Sequence, residues 1–318
     1  MTVRPDIFLP SGIYTPVVTF FKNEGTLGLD IESQVKHASH LYESGIRGLL
    51  VSGSLGENVH LTREERKSLV AALRKEIPDK AFKLIAGLPP MGSISDVATE
   101  SAGLYEAGAD YLIVLTPGYF GPALTSQEGL VEYFSQVANK SSLPVIIYNF
   151  PGTSNNVTLT PDSITKLSLH SNIVGIKLTH LNFDVYTLLG DNKAKDTKKN
   201  FTLLTGLGSV LVPSLSLGLQ GAIDGLSALF PKTMNYLFKL FHEGEMRKAL
   251  ELQAKIVKAN AIIADLNAIG VKFALNHYYG IGEVTCRPPL AKRLSYDSFA
   301  KYESDLDTIF SIEASLNK

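Results

Sequence analysis

Short apolar runs rich in β-branched residues alternate along the chain with longer segments whose apolar positions recur every three or four residues. The short runs read as strands: Ile13 to Thr19, Gly48 to Ser52, Phe82 to Ala86, Tyr111 to Leu115, Val145 to Asn149, Ile173 to Lys177, Phe201 to Leu204 and Gly221 to Asp224. Several are apolar at successive positions, as in Val145-Ile146-Ile147, which is the pattern of a strand covered on both faces. Between them, Asp30 to Ser44 and Thr62 to Glu76 read as amphipathic helices. Thr62 followed by Glu65 forms a capping box at the second of these. Most strands begin about 28 to 35 residues apart, a spacing that predicts repeated βα units and a parallel sheet. Eight such units predict an α/β fold closed as a (β/α)8 TIM barrel, whereas doubly wound sheets more often have roughly five to seven strands.

After Asp224 the strand pattern stops. Lys232 to His242, Glu245 to Ala264 and Ser298 to Ile312 read as helices, with a break forced by Arg287-Pro288-Pro289. The organisation expected is a barrel over residues 1–245 and a C-terminal helical extension over 246–318, packed on the barrel.

Composition narrows the class. The chain has 318 residues, 45% hydrophobic, enough for a large core without disulfides or structural metal. Its one cysteine, Cys286, permits no internal disulfide and fits a reducing, cytoplasmic location. Thirty basic residues balance 31 acidic ones, which argues against a nucleic-acid footprint. No apolar stretch approaches the ~18 residues that span a bilayer. Met1 to Ser11 carry neither a signal-peptide core nor an arginine-rich amphipathic pattern. His37 and His40 share a helix face without a carboxylate motif and read as a solvated pair, so no metal site is expected. His277 reads as packing in the helical tail, and Cys286 as structural.

In parallel barrels the chemistry gathers at the C-terminal strand ends. Lys177 ends the sixth strand and, by period-two alternation, shares a face with Gly175 and Ile173, pointing into the barrel mouth. An amine attacks a ketone only when neutral, and an ordinary lysine is neutral to only roughly 0.04% at pH 7. An apolar strand beneath the amine is therefore what imine chemistry requires. Alone, such a lysine reads more readily as a side chain snorkelling to solvent. Gly53-Ser54-Leu55-Gly56-Glu57 follows the second strand, where a turn can aim N–H groups and a serine hydroxyl at a carboxylate, or can be merely a turn. Tyr148-Asn149-Phe150-Pro151-Gly152 ends the fifth strand, placing Tyr148 one strand from Lys177 as a packing, rim or catalytic side chain.

Taken together, Gly53-Ser54-Leu55-Gly56-Glu57, Tyr148-Asn149-Phe150-Pro151 and Gly175-Ile176-Lys177 resemble the dihydrodipicolinate synthase / N-acetylneuraminate lyase superfamily. The likeness runs from Gly12 to about Pro231 and more loosely through the C-terminal helices. It implies that Lys177 forms an imine with pyruvate and needs no separate cofactor. It implies also that Tyr148 shuttles protons, that Ser54 continues the hydroxyl relay, and that the Ser54–Leu55 turn holds the keto-acid carboxylate. Tyr119, in Thr116-Pro117-Gly118-Tyr119-Phe120, corresponds to a tyrosine that members often insert into a neighbouring subunit's relay, which implies a homo-oligomer, dimeric or tetrameric. Two positions depart from the family: Gly118, where a second tyrosine is typical, and Leu55, where many members carry threonine.

Dihydrodipicolinate synthases place an arginine two residues past the Pro151 position, where this chain has Thr153. Without that bidentate fork, recognition of aspartate semialdehyde weakens. Gly12-Ile13-Tyr14-Thr15-Pro16 and Asn172-Ile173-Val174-Gly175 resemble more closely the 4-hydroxy-2-oxoglutarate and deoxy-sugar-acid aldolases. The expected substrate is then a 2-oxo-4-hydroxy acid, cleaved to pyruvate and an aldehyde. Thr179, His180 and Asn182 are candidates for the aldehyde half, or loop residues facing water. Gly206 and Gly208 either let a substrate approach the backbone or simply start a helix. A dihydrodipicolinate synthase and a catalytically silent keto-acid-binding barrel are the alternatives.

Overall fold

The computed structural model describes residues 8–90, 93–192, 200–290 and 295–316. Eight parallel strands close on themselves in chain order. They are β1 (Gly12–Pro16), β2 (Gly48–Val51), β3 (Lys83–Gly87), β4 (Tyr111–Leu115), β5 (Val145–Asn149), β6 (Ile173–Leu178), β7 (Thr202–Thr205) and β8 (Gly221–Ile223), with β8 paired to β1. The helices that return the chain are α1 (Ile31–Glu43), α2 (Arg63–Glu76), α3 (Ile94–Glu106), α4 (Gln127–Lys140), α5 (Pro161–Ser168), α6 (Phe183–Asn192), α7 (Leu211–Ser216) and α8 (Pro231–His242). The eight-stranded α/β barrel expected from the spacing is the fold found.

Capping residues set many helix starts. Asp30 accepts from the Ser33 N–H, and the Thr62–Glu65 capping box forms in both directions. Seven of the eight strands are buried at every position and β3 at all but its first residue, so each strand has two apolar faces. One face packs against the helices, with Leu49, Leu84, Leu112, Ile147, Ile176 and Leu203 among its members. The other fills the barrel through Tyr14, Leu50, Ile85, Ile113, Ile146, Val174, Leu204 and Ile223. Leu9 plugs the bottom of this inner layer. Three hydroxyls tether its segment: Tyr14 to Pro10 O (2.7 Å), Tyr111 to Phe8 O (2.7 Å) and Thr202 to Leu9 O (2.6 Å). Leu9 and its tethered segment thus fill the lower end of the barrel interior.

Two expectations change at this level. Val145 pairs with Ile173 but Ile146 pairs with Gly175, so Val174 is an extra residue on β6. The bulge shifts the alternation: Val174 faces the barrel interior and Ile173 the helices, so Lys177 does not share a face with Ile173. The segment read as one helix from Glu245 to Ala264 is two, α9 (Met246–Ala259) and α10 (Ala261–Tyr279), with Asn260 between them. Asn267 interrupts α10 with φ 48° and ψ −129°, after which the helix resumes. Arg287-Pro288-Pro289 forms a turn in which the Leu290 N–H donates to Arg287 O at 3.0 Å, and α11 (Tyr296–Ser315) packs on α8 and α9. His277 packs among Tyr278 and Phe299, as expected of the tail.

His37 corrects the reading of a solvated pair. It is fully buried, with its Nε2 2.9 Å from Ala228 O and its ring edge-on to Phe20, and burial pushes its pKa down to about 4. His40 packs against the Tyr279 ring. Among the described residues no cluster of His, Cys, Asp or Glu could hold a metal ion, and no helix is long and apolar enough to cross a membrane.

Candidate active site

Lys177 is buried at the end of β6, 4% exposed, and its Cα is in register with that of Tyr148 on β5. Its Nζ lies 4.3 Å from the centroid of the Tyr148 ring, the distance of a cation–π contact. Phe150 stacks on the tyrosine with ring centroids 5.7 Å apart. Thr116, just past β4, fixes the end of β5: its N–H and hydroxyl both donate to Tyr148 O, at 3.0 and 3.1 Å. The lysine and the tyrosine are therefore held by adjacent strands rather than by mobile loops.

Tyr148 also lines a cavity of about 220 Å³ at the barrel mouth, together with Gly53, Ser54, Thr153 and Asn267. The Gly53–Glu57 turn is closed by the Glu57 N–H donating to Ser54 O (3.2 Å) and the Asn58 N–H donating to Gly53 O (3.3 Å). No acceptor among the described residues takes the N–H of Ser54 or of Leu55. Two amide donors beside a cavity are what a carboxylate needs. The Leu55 side chain, 7% exposed, packs in the core instead of the cavity, so the departure from threonine leaves the backbone donors in place.

Gly206 lies against the lysine stem. A Cβ there would stand 1.8 Å from Thr179 Oγ1 and 3.0 Å from Lys177 Cε, so only glycine fits. Its N–H donates to Leu178 O at 2.7 Å. The Thr179 hydroxyl is buried beside it and has no protein partner. Thr153 is exposed, with its hydroxyl donating to Phe150 O at 3.3 Å. Asn182 caps α6 by accepting from the Val185 N–H, and His180 packs against Tyr186, so both carry structural contacts.

Tyr119 is not brought to this cavity within the chain. It is 91% exposed, beside Phe120 at 70% and Leu124 at 79%. Gly118 explains the missing family tyrosine: a Cβ there would overlap the Ser154 backbone at 2.3 Å.

Two residues at the mouth escaped the sequence reading. Asn267 reaches the cavity wall from the break in α10, 90 residues after Lys177 in the chain. Asp224, just past β8, is fully buried, and its Oδ1 accepts from the Ser227 N–H at 3.1 Å while Oδ2 is unpartnered. Burial pushes its carboxyl up to about 6, against the opposing pull of the Ser227 and Leu226 N–H groups and the charge on Lys177. Gly208 lies against it, so the β7–α7 loop touches Lys177 at Gly206 and Asp224 at Gly208. A larger cleft, about 720 Å³, opens at the opposite end of the barrel near Lys80 and Lys83. Neither of those lysines is buried, so the cleft lacks the desolvated amine found at the mouth.

An eight-stranded parallel barrel with a buried lysine beside a tyrosine at its mouth fits the class of carbon–carbon lyases. The chain belongs to the dihydrodipicolinate synthetase family, whose model matches residues 9–307. It is 33% identical over 92% of its length to a protein of Emericella nidulans named "Probable 4-hydroxy-2-oxoglutarate aldolase, mitochondrial", 92% of which is covered. It is 31% identical to the L-threo-3-deoxy-hexylosonate aldolase of Aspergillus niger, over 97% of both chains. Among solved structures, a prophage protein of this family from E. coli K12, in complex with pyruvate, superposes with a TM-score of 0.84 at 27% identity, covering 94% of this chain and 98% of that one.

Proposed function

We propose that the protein is a class I aldolase that reversibly cleaves a 2-oxo-4-hydroxy acid, 4-hydroxy-2-oxoglutarate or a 2-keto-3-deoxy sugar acid, to pyruvate and an aldehyde. The observation that carries this reading is the buried Lys177 amine against Tyr148, a tyrosine that lines the same cavity as Ser54, with the N–H groups of Ser54 and Leu55 left open beside it. The names of the fungal relatives support the same substrate class.

The neutral Lys177 amine attacks the C2 ketone, and loss of water leaves a protonated imine. That cation accepts the electron pair of the C3–C4 bond once the proton leaves the C4 hydroxyl, and the aldehyde departs. The resulting enamine takes a proton at C3, and water hydrolyses the imine to release pyruvate and restore the amine. Tyr148 is the proton carrier in this scheme, with Ser54 extending the relay and Tyr119 completing it in a neighbouring subunit. The imine is itself the electron sink, so the scheme needs no separate cofactor. The unpartnered Thr179 hydroxyl and the Gly206 backbone face the aldehyde half, and Thr153 borders its entrance.

The exposed Tyr119, Phe120 and Leu124 support assembly into dimers or tetramers. We place the protein in the cytoplasm on its single cysteine, buried and unpaired. Met1 to Ile7 lie outside the described residues, so that placement is tested by fractionation, with recovery in mitochondria as the opposing result. A substrate panel tests the activity. Pyruvate release from 4-hydroxy-2-oxoglutarate or a 2-keto-3-deoxy sugar acid is the expected result. Efficient condensation of pyruvate with aspartate semialdehyde would instead make the chain a dihydrodipicolinate synthase, and inertness towards every member would leave a keto-acid-binding barrel.

A further inference from the structure

The C-terminal helices meet the barrel mouth at a buried charge cluster that the scheme above does not use. Glu57, which ends the Gly53–Glu57 turn, is 2% exposed, and Lys272 of α10 is completely buried. Lys272 Nζ donates to Glu57 Oε1 and to Thr285 O, each at 2.6 Å, and stands over the Phe21 ring. Glu57 Oε2 accepts from the Arg287 N–H at 3.1 Å and lies 3.1 Å from His60 Nδ1. The Arg287 guanidinium also lies over the Phe21 ring and forks onto Glu65, at 2.9 and 2.5 Å. Cys286 is enclosed in the same cluster, where burial pushes its thiol up to about 11, and it offers no reactive thiolate.

A buried ion pair adds little net stability compared with an apolar packing of the same shape, but it fixes geometry, and removing one partner strands the other. The geometry at stake here is unusual on both sides. Glu57 has φ 54° and ψ 39°, left-handed for a side-chain-bearing residue, and it closes the turn that exposes the Ser54 and Leu55 amides. Lys272 lies five residues beyond Asn267, which has a positive φ of its own and lines the same cavity as Ser54. Two strained backbone positions, Glu57 at the end of the turn and Asn267 on α10, are linked through this one pair.

We propose that Glu57 and Lys272 are positioning residues that hold the Ser54–Leu55 amides and the Asn267 wall in register, so that the C-terminal helices set affinity for the keto-acid carboxylate. The proposal rests on the aldolase reading. It predicts a split between binding and chemistry, because the pair touches the turn and not the Lys177 amine.

The test is borohydride trapping of the pyruvate imine at a series of pyruvate concentrations, using the full chain and the variants Glu57→Gln, Lys272→Met and the double substitution. Each variant should need about tenfold more pyruvate for half-maximal trapping, while trapping at saturation stays within about threefold of wild type. The double variant strands no charge and should fold as wild type by circular dichroism, yet keep the weakened pyruvate dependence. A folded variant with wild-type pyruvate dependence overturns the proposal, as does loss of the saturated rate alone. Hydrogen exchange on the unmodified protein covers the case in which the single variants do not fold. Pyruvate should slow exchange in residues 268–276 and 283–287 together with 53–58, and protection confined to 53–58 overturns the proposal. A wild-type protein that forms no adduct at any concentration overturns the aldolase reading, and this proposal with it.

Discussion

At the scale of single residues, Lys177 and Tyr148 carry the account, and their surroundings say how each should fail. Lys177→Ala removes the nucleophile and should abolish pyruvate release, because the other buried lysine among the described residues, Lys272, is paired with Glu57 rather than set against Tyr148. Tyr148→Phe keeps the stack on Phe150 and loses only the hydroxyl, so the fall in kcat should be that of one proton carrier, roughly 10²- to 10⁴-fold, with the thermal midpoint little changed. Steady-state kinetics beside a melting curve separates that outcome from a packing defect. Asp224 makes a prediction of a different kind. Its carboxyl holds its proton up to about 6 in the folded chain, above its ordinary 3.8, because it is buried with one oxygen unpartnered. A group that binds its proton more tightly when folded favours the fold at low pH, and that contribution is lost as pH rises from about 4 to about 6. Asp224→Asn should therefore gain roughly 2 kcal/mol relative to wild type on going from pH 4 to pH 7, read by urea denaturation at the two pH values. A difference independent of pH would mean that Asp224 is not desolvated.

At the scale of elements, strand cores were legible and strand faces were not always. Tyr111 to Leu115 and Val145 to Asn149 are found as read, because each is an apolar run covered on both sides. The face of β6 was misread because a bulge at Val174 leaves no mark in a run where every residue is apolar or glycine. The pairing of Lys177 with Tyr148 followed from counting strands, and the open amides followed from a glycine-rich turn. Asn267 was illegible for a physical reason: asparagine tolerates a positive φ, but a single one among Leu266, Ala268 and Ile269 does not announce a break in a helix, and its place in the cavity depends on how α10 crosses the mouth. Gly206 reads from sequence as either a close approach to substrate or a helix start, and what the structure places against it is the Thr179 hydroxyl and the Lys177 stem. Gly206→Ala should cost about 1–3 kcal/mol of stability through overpacking against Thr179 and raise KM for the intact substrate, since the new methyl group enters the wall beside Lys177. Unchanged KM in a destabilised variant would detach Gly206 from the substrate.

At the scale of the whole molecule, Leu9 plugs the barrel interior below, and α10 reaches the cavity at the mouth through Asn267. The exposed ridge of Tyr119, Phe120 and Leu124 stands at this same end, in the segment after β4, and it is unfilled in a single chain. If it seats against a second copy, Phe120→Asp should shift the sedimentation coefficient towards a smaller species and lower kcat with it, as the relay loses the neighbour's Tyr119. A monomeric variant with full activity would remove Tyr119 from the reaction. The central claim is covalent, and it is tested most directly by reducing the protein with borohydride in the presence of pyruvate and locating the adduct by peptide mass spectrometry. The account predicts a mass gain of one reduced pyruvate unit on the peptide bearing Lys177, absent from Lys177→Ala. Pyruvate turnover or binding with no adduct, or an adduct on another lysine, would contradict it.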